Sequence, residues 1–273
     1  MPDVSVLTPI YNTDPTILKI TIESILNQSF KNFEFIILND SPENSEIEEI
    51  VRSYNDPRIR YLKNKKNLGI SESRNVLLHA SRGKYIAILD HDDISKVNRL
   101  EKQFQYLENN PFIGVVGCWI KVKGNGVDRT IRYPIENMDI KRKMMSDLCI
   151  PHSGCMIRKA VMIENDICWE KNSFPAEDYL LMIRLMQYTM FHNIPEELLI
   201  YRKHASNTGD AASDKMADSA ALIRCIAEKE YPYLLRKTKW ILLFNCIPFI
   251  QIRQRSGDMR YFLFGYIPIF RIK

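Results

Sequence analysis

Short, nearly continuous apolar runs alternate with segments of helical period through the first 120 residues. Val4 to Thr8, Phe33 to Leu38, Ile59 to Leu62, Tyr85 to Leu89 and Ile113 to Val116 are rich in β-branched residues. Each reads as a strand buried on both faces. Between them, Thr16 to Asn27, Glu43 to Tyr54, Ser71 to Ser81 and Val97 to Asn109 place apolar residues three and four apart. These read as helices. Strand and helix in strict alternation predict right-handed crossovers and a doubly wound, mostly parallel α/β sheet.

Such sheets bind ligands at the carboxyl ends of their strands, so the residues that follow each strand carry the candidate chemistry. They are Thr8-Pro9-Ile10-Tyr11-Asn12, Asn39-Asp40-Ser41, Asn64 to Gly69, and Asp90-His91-Asp92-Asp93. No G-x-G-x-x-G follows a strand, and Gly83-Lys84 precedes Tyr85 where a phosphate-binding loop needs Ser or Thr. Dinucleotide dehydrogenases and P-loop kinases are thereby excluded. Three acids within four positions repel and raise one another's pKa, unless a hard divalent cation such as Mg²⁺ or Mn²⁺ neutralises them. The competing role for this cluster is to cap a helix starting near Ser95.

These segments resemble the family 2 glycosyltransferases of GT-A fold over roughly residues 3 to 208. The resemblance rests on Val4-Ser5-Val6 with Pro9, Tyr11 and Asn12; on Asn39-Asp40-Ser41 at a D-D-G-S position; on Asn67, Gly69, Arg74 and Asn75; and on Asp90-His91-Asp92-Asp93. Further matches are the run Pro151 to Arg158, the pair Glu177-Asp178, and Tyr201, Arg202, His204 and Asn207. The resemblance implies a nucleotide-sugar site of Thr8, Pro9, Tyr11, Asp40, Asn67, Arg74, Asp90 and Asp92. Asp40 would meet the base, Arg74 the diphosphate and Asp90 the ribose. It also implies a metal on Asp92, with His204 as a metal or phosphate contact, an acceptor side at His152 and Glu177, and Asp178 as general base; Trp169 joins the acceptor side as a candidate sugar-stacking aromatic. The first acid and the glycine of D-D-G-S are replaced here, as is the proline usual at position 97, where Val97 stands.

Sugar transfer needs a cation to neutralise the departing diphosphate and a base to deprotonate the attacking hydroxyl. Asp90 to Asp93 can hold the first and Asp178 can be the second. One displacement on an α-linked donor, UDP-sugar being the expected one, inverts the anomeric centre and forms a β-linkage. Glu177-Asp178 opens a strongly apolar helix from Tyr179 to Met190, where its dipole favours ionised acids. His79, His91 and His152 read as structural, His204 as a metal or phosphate contact, and Trp169 either as a sugar-stacking platform or as a buried side chain. A nucleotidyltransferase would want a Gly-rich loop after the first strand, which Thr8 to Thr13 lacks. A non-catalytic nucleotide-sugar-binding protein of the same fold is the alternative reading.

Composition adds one thing, in the tail. The chain has 273 residues and a net charge of +5, but Pro232 to Lys273 holds eight Lys or Arg, one acid (Asp258) and nine aromatics. The rest is nearly neutral. Leu243 to Arg253 aligns with Leu263 to Lys273 at a period of 20, sharing an L-F-x-x-I-P-x-x-x-I pattern. Neither copy can span a bilayer, and basic residues flanking apolar runs suit an interfacial anchor on an anionic membrane rather than nucleic acid. The expected organisation is therefore a catalytic domain over 1–215, with a nucleotide half 1–115 and an acceptor half 116–215. A C-terminal helical, amphipathic extension over 216–273 would follow. Six cysteines without C-x-x-C spacing, and no secretory leader, predict a reduced cytoplasmic protein, peripheral on the inner face of the cell membrane. The acceptor would be a glycan or a lipid-linked sugar in cell-surface polysaccharide synthesis.

Overall fold

A computed structural model describes residues 1–204 and 213–235, together with the strand backbones 237–243, 247–255, 258–263 and 267–272. The chain divides into two compact units, 1–221 and 222–273. The first begins β1 (Val4–Ile10), α1 (Pro15–Leu26), β2 (Phe33–Asn39), α2 (Ser45–Ser53), β3 (Ile59–Lys63), α3 (Ile70–Ala80) and β4 (Tyr85–Ile88). β1 pairs in parallel with β2 and β4, and β2 with β3, so these four carboxyl ends share one rim. Val4, Val6, Phe35 and Ile37 form one apolar cluster with Leu18 and Ile22 of α1, Ile47 of α2 and Leu100. Leu7, Ile36 and Leu38 are also buried, on the alternate face, and α3 packs on β1 and β2. Both faces are covered, which is why the strand sequences show no polar alternation.

The second half brings in antiparallel strands. After the two-residue β5 (Ile94–Ser95) and α4 (Arg99–Asn109) come β6 (Ile113–Gly124), β7 (Val127–Ile131), α5 (Asn137–Met144), β8 (Met156–Arg158), α6 (Lys159–Ile163), α7 (Glu177–Leu185) and β9 (Met190–Arg202). The sheet runs β3-β2-β1-β4-β8-β6-β9-β5, with β7 added on β6. β8 is antiparallel to both β4 and β6, whereas β9 lies parallel to β6. Two expectations change here. β6 continues to Gly124, because Trp119 to Val122 alternate and pair with β9. The helix expected to reach Met190 stops at Leu185, because Met190 is instead the first residue of β9, opposite Ile113.

The C-terminal helix is present as α8 (Ser213–Glu230). Beyond it the tail is a four-stranded antiparallel meander, β10 (Lys237–Leu243), β11 (Ile247–Arg255), β12 (Asp258–Leu263) and β13 (Ile267–Ile272). Aromatic and β-branched residues in alternation favour strands over an amphipathic helix. Among the described residues no helix is long and apolar enough to cross a membrane.

Candidate active site

The acids after β4 do not cap a helix. α4 starts at Arg99, and β5 intervenes. Asp92 Oδ2 lies 2.8 Å from His204 Nε2, which joins residues 112 positions apart at the end of β9. Arg202 fixes that approach: its backbone N–H donates to Asp93 Oδ1 at 3.1 Å and its Nε to the Asp92 carbonyl. Its Nη2 reaches the Ile17 carbonyl at 3.1 Å and Thr21 Oγ1 at 3.0 Å. Arg202 is thus a strut between β9, the acidic loop and α1. Asp93 is fully buried, and burial, with Asp92 and Asp90 beside it, pushes its carboxyl well above the usual range. Asp93 supports the loop while Asp92 and Asp90 remain partly open. No cluster of three or more His, Cys, Asp or Glu in a metal-binding arrangement occurs among the described residues. One carboxylate and one imidazole, with a substrate diphosphate completing the set, still match the way Mg²⁺ or Mn²⁺ is held at phosphate sites.

Arg74, on α3, is the hub of the site. Its Nη1 donates to Glu177 Oε1 at 2.7 Å and its Nη2 to Asp90 Oδ1 at 2.9 Å. The side chain is only 7% exposed, and its two terminal nitrogens are engaged by carboxylates while its buried Nε has no hydrogen-bond partner. The reason is electrostatic: a buried Glu177 and the acidic loop both need a cation, and Arg74 supplies it. Asp178 is the next residue, in the first turn of α7, and its Oδ1 accepts from the Tyr179 N–H at 2.7 Å. Burial, then the neighbouring Glu177, push its carboxyl up to about 6, while Arg74 and the helix N–H pull the other way. A carboxylate poised near neutrality suits general-base work.

The expected base-binding rim is rearranged in detail. Asp40 Oδ1 accepts from Asn64 Nδ2 at 2.7 Å and the Leu68 N–H at 2.9 Å, and its Oδ2 accepts from the Gly69 N–H at 2.9 Å. Asp40 therefore folds the loop 64–69, which ends on Gly69 at φ +85°, a conformation that favours glycine. Asn67 is exposed and accepts from the Gly69 N–H at 2.9 Å. Thr8 has no exposed surface, and its hydroxyl donates to the Leu89 carbonyl at 2.8 Å. It ties β1 to the strand end that carries Asp90 and cannot meet a ligand, and Pro9 beside it is buried too. Tyr11, 52% exposed, is the aromatic face that this rim presents.

On the acceptor side Trp169 is 1% exposed, so it cannot act as a stacking platform. Its Nε1 donates to His152 Nε2 at 3.0 Å, and Asn75 holds its backbone through two bonds of 3.0 Å, to the Trp169 carbonyl and from the Trp169 N–H. Burial, then the Arg74 charge, lower His152 to about 3, so it stays neutral, with an unpartnered buried Nδ1. Ser153 Oγ accepts from the Asp90 N–H at 3.1 Å, and Gly154 N–H reaches the Ile88 carbonyl at 2.9 Å. Residues 152–154 thus shape the acidic loop from below. Ser153 was not singled out from sequence, and Asn64 and Asp93 were named only as members of their segments, with no role of their own. Only their place within or beside a motif signalled them. Asn207 lies outside the described residues.

An acidic loop at the carboxyl rim of a mostly parallel sheet, tied through Arg74 to a second acid pair, defines a GT-A type transferase site. A family model described as glycosyl transferase family 2 matches residues 5–170, and the chain belongs to that family. It is 34% identical over 244 residues to an uncharacterized glycosyltransferase of Methanocaldococcus jannaschii, covering 88% of this chain and 80% of that one. It is 30% identical over 216 residues to the O-antigen biosynthesis glycosyltransferase WbnJ of Escherichia coli, covering 77% and 83%. The fold is similar to S. aureus TarS in complex with UDP-GlcNAc, with a TM-score of 0.67 at 19% identity; the match covers 82% of this chain but just under two thirds, 65%, of that one. A Pyrobaculum calidifontis mannosyltransferase in complex with GDP-Man and Mn²⁺ gives a TM-score of 0.56 at 13% identity, covering 85% and 75%.

Proposed function

We propose that this glycosyltransferase moves a sugar from a nucleotide-sugar, UDP-sugar in the first instance, to a glycan or lipid-linked acceptor in cell-surface polysaccharide synthesis. The reaction is metal-dependent and inverting, and yields a β-linkage. The observation that carries the reading is the Arg74 bridge, 2.9 Å from Asp90 and 2.7 Å from Glu177, which joins the acidic loop to the N-terminus of the helix that bears Asp178. Donor-side acids and a candidate base thereby belong to one electrostatic cluster.

In this reading Asp92 and His204 would hold Mg²⁺ or Mn²⁺, which neutralises charge on the departing diphosphate. Tyr11 packs on the base, and Asp40 keeps the loop 64–69 in shape for it. Asp90 faces the ribose. Asp178 accepts the proton of the attacking hydroxyl on its carboxylate, and the raised pKa leaves it basic enough to do so at neutral pH. Glu177 and Arg74 hold the N-terminus of α7 in place, and His152 with Trp169 form the wall on the acceptor side. The basic residues of 232–273 attach the enzyme to the anionic inner face of the cell membrane, close to a lipid-linked acceptor. The test is a panel of nucleotide sugars incubated with Mn²⁺, Mg²⁺ or chelator and read by release of nucleoside diphosphate. Release from a UDP-sugar only with metal supports the reading, and release indifferent to chelator overturns its metal dependence. An α-anomeric product by NMR would overturn inversion.

A further inference from the structure

The acidic loop runs from Ile88, the last residue of β4, to Ser95, the last of β5. Two elements hold its middle. Thr21 Oγ1 of α1 lies 2.9 Å from both the His91 and the Asp93 carbonyls, and Arg202 of β9 donates to the Asp92 carbonyl. Its two ends are joined by a third element, through Arg99 at the start of α4. Arg99 Nε donates to Ser95 Oγ at 2.7 Å and Nη1 to the Ile88 carbonyl at 3.1 Å, while Nη2 has no hydrogen-bond partner. One planar guanidinium therefore spans the loop from end to end. The ladder does little of this work, because β5 pairs with β9 through only Ile94 and Ser95.

Arg99 has no exposed surface, and neither of its two bonds goes to a carboxylate. Taking a guanidinium out of water is costly, and a well-packed apolar side chain of similar volume is often as stable at a buried position or more so. α4 already buries Leu100 and Leu107, so packing gives no reason for a cation at this place. Burial lowers the guanidinium to about 10, which leaves it ionised at neutral pH, and the thiols of Cys118 and Cys155 near it are pushed up by their own burial and stay neutral. Asp93, buried in the acidic loop with its Oδ2 unpartnered, is the acid whose field reaches it. The bonds and the charge of Arg99 are thus directed at the same loop. We propose that Arg99 is a positioning residue of the donor site: by tying Ile88 to Ser95 it fixes the span of the loop between them, and with it the placement of Asp92 for the metal. This rests on the reading that Asp92 and His204 hold Mg²⁺ or Mn²⁺, and adds the residue that keeps their loop in shape.

The test is calorimetry of UDP binding by the full-length chain, with Mn²⁺ and with chelator, on wild type, R99M, R99K and S95A, with a melting curve for each. The quantity read is the gain in UDP affinity that Mn²⁺ brings. R99M keeps the volume and loses both bonds, so its gain should shrink roughly tenfold to a hundredfold, the usual effect of losing a group that supports a metal ligand. Its affinity in chelator should stay within about twofold of wild type and its melting temperature should not fall, since the buried charge is gone as well. R99K keeps the charge without the fork that reaches both ends and should lie between the two. S95A, which removes the Nε acceptor, should lose a few-fold. Wild type without a Mn²⁺-dependent gain overturns the metal reading and this inference with it. A wild-type gain that R99M retains overturns the role of Arg99 alone. An R99M that loses affinity equally in Mn²⁺ and in chelator shows a side chain needed only for the fold, which overturns it as well. If R99M fails to fold, an undiminished gain in S95A overturns it equally.

Discussion

Replacing Arg74 by Gln removes a cation that two carboxylates, Asp90 and Glu177, share at 2.9 and 2.7 Å. Asp178, adjacent to Glu177, is already pushed up to about 6 by burial and by Glu177, against the pull of Arg74. Loss of that pull moves its pKa further up. A unit charge at about 6 Å in an effective dielectric of about 20 is worth roughly 2–3 kcal/mol, and partial solvent screening halves this to about one pKa unit. The acidic limb of the kcat profile should then move from about pH 6 to about pH 7. At pH 6 the variant would hold roughly a tenth of Asp178 ionised against about a half in wild type, a loss of about fivefold relative to its own plateau. At pH 8 both would be nearly fully ionised. Arg74→Lys keeps the charge and should keep the limb near 6. The assay is initial rate of nucleoside diphosphate release from pH 5 to 9 with saturating donor and acceptor. An Arg74→Gln limb that stays at 6, with the rate lowered equally at every pH, would refute Arg74 as the residue that tunes the base.

Three further outcomes follow from the same geometry. Asp92→Asn should abolish the metal-dependent part of UDP binding measured by calorimetry with Mn²⁺, and unchanged affinity would remove Asp92 from the metal site. Trp169→Phe deletes the bond to His152 and leaves a small cavity in the interior, so stability should fall by about 2 kcal/mol with acceptor KM unchanged; a KM several-fold higher would restore Trp169 as a sugar platform. Because the folded pKa of Asp178 is raised, its ionised form costs stability, a cost absent below the unfolded value near 4 and fully present above about 6. Asp178→Asn should therefore be more stable than wild type at pH 8, by roughly 1–2 kcal/mol, with the difference gone at pH 4; equal melting temperatures at both would contradict the raised pKa.

The parallel half of the sheet was legible because each strand is buried on both faces and reads as an unbroken apolar run, as in Phe33 to Leu38. The three-residue β8 was not, since Met156 to Arg158 carries too few residues for any period and gains strand form only between β4 and β6. The same limit applies to side-chain roles. Thr8 and Trp169 are residue types that serve ligands and scaffolds alike, and only the positions of the Leu89 carbonyl and His152 decide which. Asp92 and Asp178 were legible as candidates because acids at a strand end and at a helix start are chemically conspicuous wherever the rest of the chain places them. In the tail the repeat was visible but its strands were not, since they depend on which segments pair.

The central claim is that Asp178 is the base of a glycosyl transfer, and the most direct measurement is a pair of assays on Asp178→Asn: donor affinity by calorimetry with metal present, and transfer rate with saturating acceptor. A base acts on the acceptor hydroxyl, so the account predicts wild-type donor affinity with transfer slower by at least about a hundredfold. Transfer within a few-fold of wild type would show that another group takes the proton, and the account would be wrong at its centre.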